Sequence, residues 1–122
     1  MTETIHRLML SNLLEVFDER DPERRRDAIA RTYAPDVRWT DDEGVTVGHA
    51  DLDAKAKKLQ STLGPLRFIA ASPVHQTTGF GYLAWHVVAE GDDTPQVSGF
   101  DVAIIRDDVI AELYTVLATR RT

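Results

Sequence analysis

The chain has 122 residues, 43% of them apolar, and no cysteine. That is enough for one domain with a core and room for one small ligand cavity, too little for two domains, and it excludes disulfides and thiol chemistry. With 14 basic and 20 acidic residues the net charge is −6, which argues against a nucleic-acid partner.

No apolar run approaches a membrane span, and the acidic start "MTETIHRLML" lacks the order of a secretory signal. A soluble, cytoplasmic protein with no membrane partner is expected. Residues 3–20 place Ile5, Leu8, Met9, Leu13, Val16 and Phe17 on one face of an amphipathic helix. "DPE" restarts the helix, with Asp21 as N-cap and Pro22 at the first helical position, and this second helix should reach about Tyr33, ended by Ala-Pro. The stretch "ERRRD" within it reads as a solvated face. "VRWT" and "VTVG" flank the acidic turn Asp41, Asp42, Glu43 and look like a short hairpin. The third helix follows Gly48, buries Leu52, Ala56, Leu59 and Leu63, carries the i,i+4 pairs Asp51–Lys55 and Asp53–Lys57, and stops at Gly64-Pro65.

From Leu66 onward the chain is strand-like. Turn signals at "TTGFG", "GDDTP" and "RDD" divide it into four antiparallel strands in meander order, about 66–75, 80–90, 96–106 and 109–118. Helices first and a sheet after is an α+β plan. Leu83, Trp85, Val87 and Ala89 share one apolar face, as do Val109, Ala111, Leu113, Thr115 and Leu117. The other face, where Ile110 and Glu112 are also expected, keeps Tyr82, Phe100, Val102, Ile104, Tyr114 and Val116. That is too much apolar surface to leave wet, so a homodimer through the outer sheet face is expected.

The order of elements, with "TYAPDVRWTDDEGVTVGHADLDA" and the closing "VSGFDVAIIRDDVIAELYTVL", resembles the nuclear transport factor two-like superfamily, in its SnoaL-like and ketosteroid-isomerase-like branch. The resemblance covers nearly the whole chain, 1–122, as a single domain. It implies a cone in which three N-terminal helices pack on a curved mixed or antiparallel sheet around an apolar cavity. It also implies dimerisation through the outer sheet face, and chemistry without a cofactor. In ketosteroid isomerases a catalytic Asp follows the first strand, and "RWTDDEG" puts Asp41 in that place. The family's other partners, a Tyr and a protonated Asp, do not carry over. The Tyr position falls near Leu13 or Leu14, and the Asp position falls at Ala103, with Asp101 two residues earlier on the same face. Against limonene epoxide hydrolases, the strand Arg and Asp fall near Trp85 and Val87, and the last-strand Asp falls at Thr115.

The candidate catalytic residues are therefore Asp41, as acid/base, and Asp101, as its assistant. Each has a plainer reading: Asp41 as an Asx-turn residue opening the hairpin, and Asp101 as a structural hydrogen-bonding group, since a buried carboxylate must be paired or neutralised. Trp39, Trp85, Val87, Ala103, Leu113, Thr115 and Leu117 are the candidate ligand-binding residues. They would line a cavity for a small, mostly apolar molecule. Four His on separate elements show no metal-ligand spacing, so no metal is expected. His49, His75 and His86 read as structural. A non-catalytic ligand-binding or dimerisation module is the alternative function.

Overall fold

The structure, a computed structural model, describes residues 2–118. α1 (Thr2–Leu10) runs straight into a π-helical segment, Ser11–Phe17, closed by an i→i+5 bond from the Asp18 N–H to the Leu13 carbonyl. The apolar stripe of this first helix is buried as its spacing requires, and Asn12 is buried with it. The Asp21 side chain caps α2 (Pro22–Thr32) by accepting from the Arg24 N–H at 2.8 Å. Tyr33 leaves the helix in an extended conformation and opens β1 (Tyr33–Asp41), so Ala34 and Pro35 lie within a strand. The expected solvated face of α2 is corrected at Arg25, which is 1% exposed. Its guanidinium meets Asp53 at 2.6 Å, the Glu19 carbonyl at 3.1 Å and Gln60 at 3.0 Å, and so ties α2 to the third helix.

β1 turns into β2 (Gly44–Val47), and α3 follows (His49–Leu63). The Arg20 guanidinium donates to the carbonyls of Gly64 and Leu66, each at 2.6 Å, fixing the exit from α3. The strand expected at 66–75 is two strands, β3 (Arg67–Ala70) and β4 (His75–Thr77), interrupted around Pro73 and both paired to β5 (Phe80–Val88). β6 (Val97–Arg106) and β7 (Val109–Leu117) complete a seven-stranded sheet of order β2-β1-β7-β6-β5-β3. It is mixed, because β1 joins β7 in parallel. Asp107 and Asp108, at φ 56° and 65°, make the two-residue β6–β7 turn.

One phase in the sheet differs from simple alternation. The β6–β7 pairing passes from Ile104↔Glu112 to Ile105↔Ile110, leaving Ala111 bulged. The extra residue reverses the faces on either side of it. Ile110, expected on the outer face, is fully buried, while Leu113 keeps its inner place. No helix among the described residues is long and apolar enough to cross a membrane.

Candidate functional site

Strand register assembles the inner face. Asp101 pairs with Leu83 on one side and Thr115 on the other, and Trp85 pairs with Gly99, one inward position away. Trp39 pairs with Leu113, which sets its indole diagonal to Thr115. Gly99 is needed here: a Cβ would lie 2.6 Å from the Trp85 ring and 2.5 Å from the Val116 carbonyl. Its absence lets the Trp85 indole lie across β6 and reach Asp101.

Between this face, the π segment, α3 and the β1–β2 turn is a pocket of about 290 Å³. Two edge-to-face aromatic pairs stand on its walls, Phe17–Trp39 with centroids 4.8 Å apart and Phe68–Trp85 at 5.3 Å. Phe68 is held there by Asp18, whose Oδ1 accepts from the Phe68 N–H at 2.9 Å while Arg67 closes on the same carboxylate at 2.7 Å. Asp42, Glu43, Lys58 and Thr62, all exposed, form the rim.

Asp101 is buried on this wall, 3% exposed. Its Oδ1 accepts from the Trp85 indole N–H at 3.1 Å and the Thr115 hydroxyl at 3.0 Å, and its Oδ2 accepts from the Asn12 amide at 2.7 Å. The Trp39 indole N–H donates to Thr115 Oγ1 at 3.0 Å. An indole N–H can only donate, so the Thr115 proton is directed to Asp101. Behind Asn12, the buried Tyr33 hydroxyl donates to Asn12 Oδ1 at 2.5 Å. Burial disfavours the charged carboxylate and outweighs the three donors, so the Asp101 carboxyl is pushed up from 3.8 to about 6. Burial, with the Asp101 charge adding to it, pushes the Tyr33 hydroxyl well above its usual range.

At the mouth, Asp41 Oδ2 lies 2.7 Å from the Lys55 ammonium, which also stands 3.5 Å from Glu43 and 4.8 Å above the Trp39 ring. Asp41 Oδ1 accepts from the Glu43 N–H at 3.0 Å, the Asx-type turn. Lys55 therefore reaches across to β1 rather than along its own helix to Asp51, and Asp53 likewise turns to Arg25.

Asp41, Asp101, Trp39, Trp85, Val87, Thr115 and Leu117 share the pocket wall. Ala103 and Leu113 do not. Both are fully buried away from it: Ala103 pairs with Gly81, where Met9 of α1 packs so closely that a Cβ would lie 2.7 Å from its sulfur, and Leu113 lies between Ala103 and Trp39 in the sheet. Sequence reasoning missed Asn12, Tyr33, Lys55, Phe17 and Phe68 as site residues. Asn12 alone left a trace, as an amide beside an otherwise apolar helix stripe. No phenol comes from the first helix, but Tyr33 brings one to the same network from β1. His49 Nε2 donates to the Tyr33 carbonyl at 3.0 Å. His75 rests on Tyr82 with ring centroids 5.6 Å apart.

No family model and no curated protein sequence matches the chain. Solved structures do. A SnoaL-like family protein from Agrobacterium tumefaciens superposes with a TM-score of 0.85 at 22% identity, over 97% of this chain and 99% of that one. A SnoaL-like protein of unknown function from Burkholderia thailandensis gives 0.71 at 11% identity, over 97% of each chain. A protein with a ketosteroid isomerase-like fold from Catenulispora acidiphila, in complex with trimethylamine, gives 0.67 at 11% identity over 88% of this chain and 82% of that one. Likeness of this kind, across nearly the full length and at low identity, concerns architecture: the chain has the same fold as these SnoaL-like and ketosteroid-isomerase-like proteins.

Proposed function

We propose that the protein binds a small, mostly apolar molecule in this pocket and exchanges a proton with it through Asp101, in a cofactor-free reaction of the isomerase or cyclase type. The observation that carries the reading is a carboxylate deep in an aromatic-walled pocket whose proton affinity is raised to about pH 6. A general base must be ionised at the working pH and still hold a proton well, which a carboxyl in that range does near neutrality. An ionised carboxylate accepts at about four positions. Three are taken by Asn12, Trp85 and Thr115, which leaves capacity for a ligand. For Asp41, the residue in the family's base position, the role proposed is at the mouth. Its two oxygens are engaged by Lys55 and the Glu43 N–H, and it holds Lys55 over Trp39. The outer sheet face is proposed as the interface of a homodimer.

The test uses small cyclic ketones in D2O. Binding should quench Trp fluorescence and raise the melting temperature. Deuterium should enter the ketone beside its carbonyl, and Asp101→Asn should slow that exchange by roughly 100-fold or more. Exchange as fast in the variant as in the native protein would sink the reading.

A second reading is favoured by one further observation. Only neutral donors, from Asn12, Trp85 and Thr115, compensate the Asp101 charge, and acids outnumber lysines on the pocket wall, four to two. With aromatic walls, that environment suits a protonated alkylamine held without turnover. Butylammonium binding that strengthens as the pH rises through about 6, with butanol indifferent to pH, would support this module.

A further inference from the structure

Of the three donors to Asp101, two have no choice. The Trp85 indole can only donate, and the Thr115 hydroxyl is turned toward Asp101 because Trp39 donates to its oxygen. Asn12 is different. Its amide has an oxygen and a nitrogen of nearly equal shape, and either could face Asp101. Its orientation is decided from behind, by Tyr33, whose hydroxyl proton has Asn12 Oδ1 as its acceptor.

We infer that Tyr33 is a positioning residue that acts through Asn12: by claiming the Asn12 oxygen it keeps the amide NH2 turned to Asp101 and so favours the ionised carboxylate. The two arrangements of this chain are unequal. In one, Tyr33 donates to Asn12 and Asn12 donates to a carboxylate. In the other, a protonated Asp101 donates to the Asn12 oxygen and the Asn12 NH2 faces the phenol oxygen. The phenol proton then loses its acceptor in a buried setting, which is costly. Protonating Asp101 therefore works against Tyr33, and the pair lowers the proton affinity that burial raises.

The backbone supports the clamp. Ser11 and Thr32, the residues just before Asn12 and Tyr33, meet at 2.8 Å, so two successive contacts stitch the π segment to the α2–β1 junction. His49 holds the Tyr33 carbonyl at 3.0 Å. Tyr33, from β1, is the titratable group that faces Asp101 through this chain. Trp85 of β5 and Thr115 of β7 bring no charge, and Asp41, Asp42, Glu43, Lys55 and Lys58 lie toward the mouth.

The inference rests on the acid/base reading of Asp101 for its meaning but not for its test, which needs no ligand. The Asp101 side-chain carboxyl carbon is followed by NMR against pH in the native chain, in Tyr33→Phe and in Ser11→Ala. Tyr33→Phe frees the Asn12 amide to turn and should raise the Asp101 pKa by about one pH unit, a tenfold gain in proton affinity. Ser11→Ala removes the neighbouring stitch to Thr32, together with the Ser11 hydroxyl's bond to Glu15 on the exposed side, and should lower stability while leaving that pKa in place. Asn12→Ala removes the donor itself and should raise the pKa at least as far as Tyr33→Phe, which keeps the test decisive if the Phe variant folds poorly. Native and Tyr33→Phe proteins titrating together would overturn the clamp, as would an equal rise in Ser11→Ala. An ordinary carboxylate pKa in the native chain would overturn the acid/base reading alone, since the clamp is judged by the difference between variants.

Discussion

Asp101 and Asp41 are both carboxylates on one pocket wall, and their surroundings part them. Asp101 meets only neutral donors in a buried place, and its folded-state proton affinity exceeds that of the unfolded chain. Between about pH 4 and 6 the native state therefore holds the extra proton. The stability this contributes is full below the unfolded value of 3.8 and is lost as the pH rises through about 6, roughly 3 kcal/mol in all. Asp101→Asn removes the charge and keeps an acceptor for Trp85 and Thr115. Urea melts should then show the variant gaining on the native protein between pH 4.5 and 7.5, and at least equal to it at neutrality. A gap that stays constant with pH would contradict the burial argument. Asp41 behaves otherwise: it is 12% exposed, paired to a cation and closing a turn. Asp41→Ala should cost about 1 kcal/mol in the same melts. If Asp41→Asn instead gained stability at neutral pH and abolished the ketone exchange, the base role would return to Asp41.

At the scale of elements, the π segment and the β7 bulge each shift side chains by a single residue. The wide turn closed by the Leu13–Asp18 bond accompanies the burial of Asn12 beside an otherwise apolar stripe. The bulge at Ala111 allows both Ile110 and Leu113 to face inward. Neither departure is visible in helical or alternating periodicity, because each is set by what the neighbouring element offers. The long-range ion pairs follow the same rule. Lys55 has Asp51 at the favourable spacing on its own helix, yet it lies 2.7 Å from Asp41, where the indole of Trp39 adds to the attraction.

At the scale of the molecule, the outer sheet face remains. Register lines up Tyr82, Val102 and Tyr114 across three strands, with Ala84, Phe100 and Val116 beside them. Tyr114 and Val116 are 39% and 42% exposed, and the rings of Tyr82 and Phe100 lie 5.3 Å apart. A second copy presenting the same patch would cover this contiguous apolar surface. Light scattering at micromolar concentration should report a dimer, and Val102→Asp should yield monomers or aggregates. A native protein that is monomeric under those conditions would refute the interface.

The periodicities, caps and turn residues were sufficient for the three helices, the hairpin, the late strands and the α+β plan, because those signals are local: one apolar stripe, an Asp-Pro start, a Gly-Pro stop. The strand faces also picked out Trp39, Trp85 and Thr115, and Asp101 stood out because an Asp in an apolar strand demands an explanation, whereas Asp41 was singled out by the family resemblance. Local signals could not say that Ala103 and Leu113 are buried away from the pocket, that Arg25 is buried, or which acid meets neutral donors and which is ion-paired. Those outcomes depend on contacts between residues far apart in the chain, such as Asn12 with Asp101 and Asp41 with Lys55. Burial and hydrogen bonding set a carboxyl's proton affinity, and both are properties of the packed molecule. The same residue type is therefore ion-paired at the pocket mouth in one strand and buried among neutral donors in another, and only the tertiary structure decided between them.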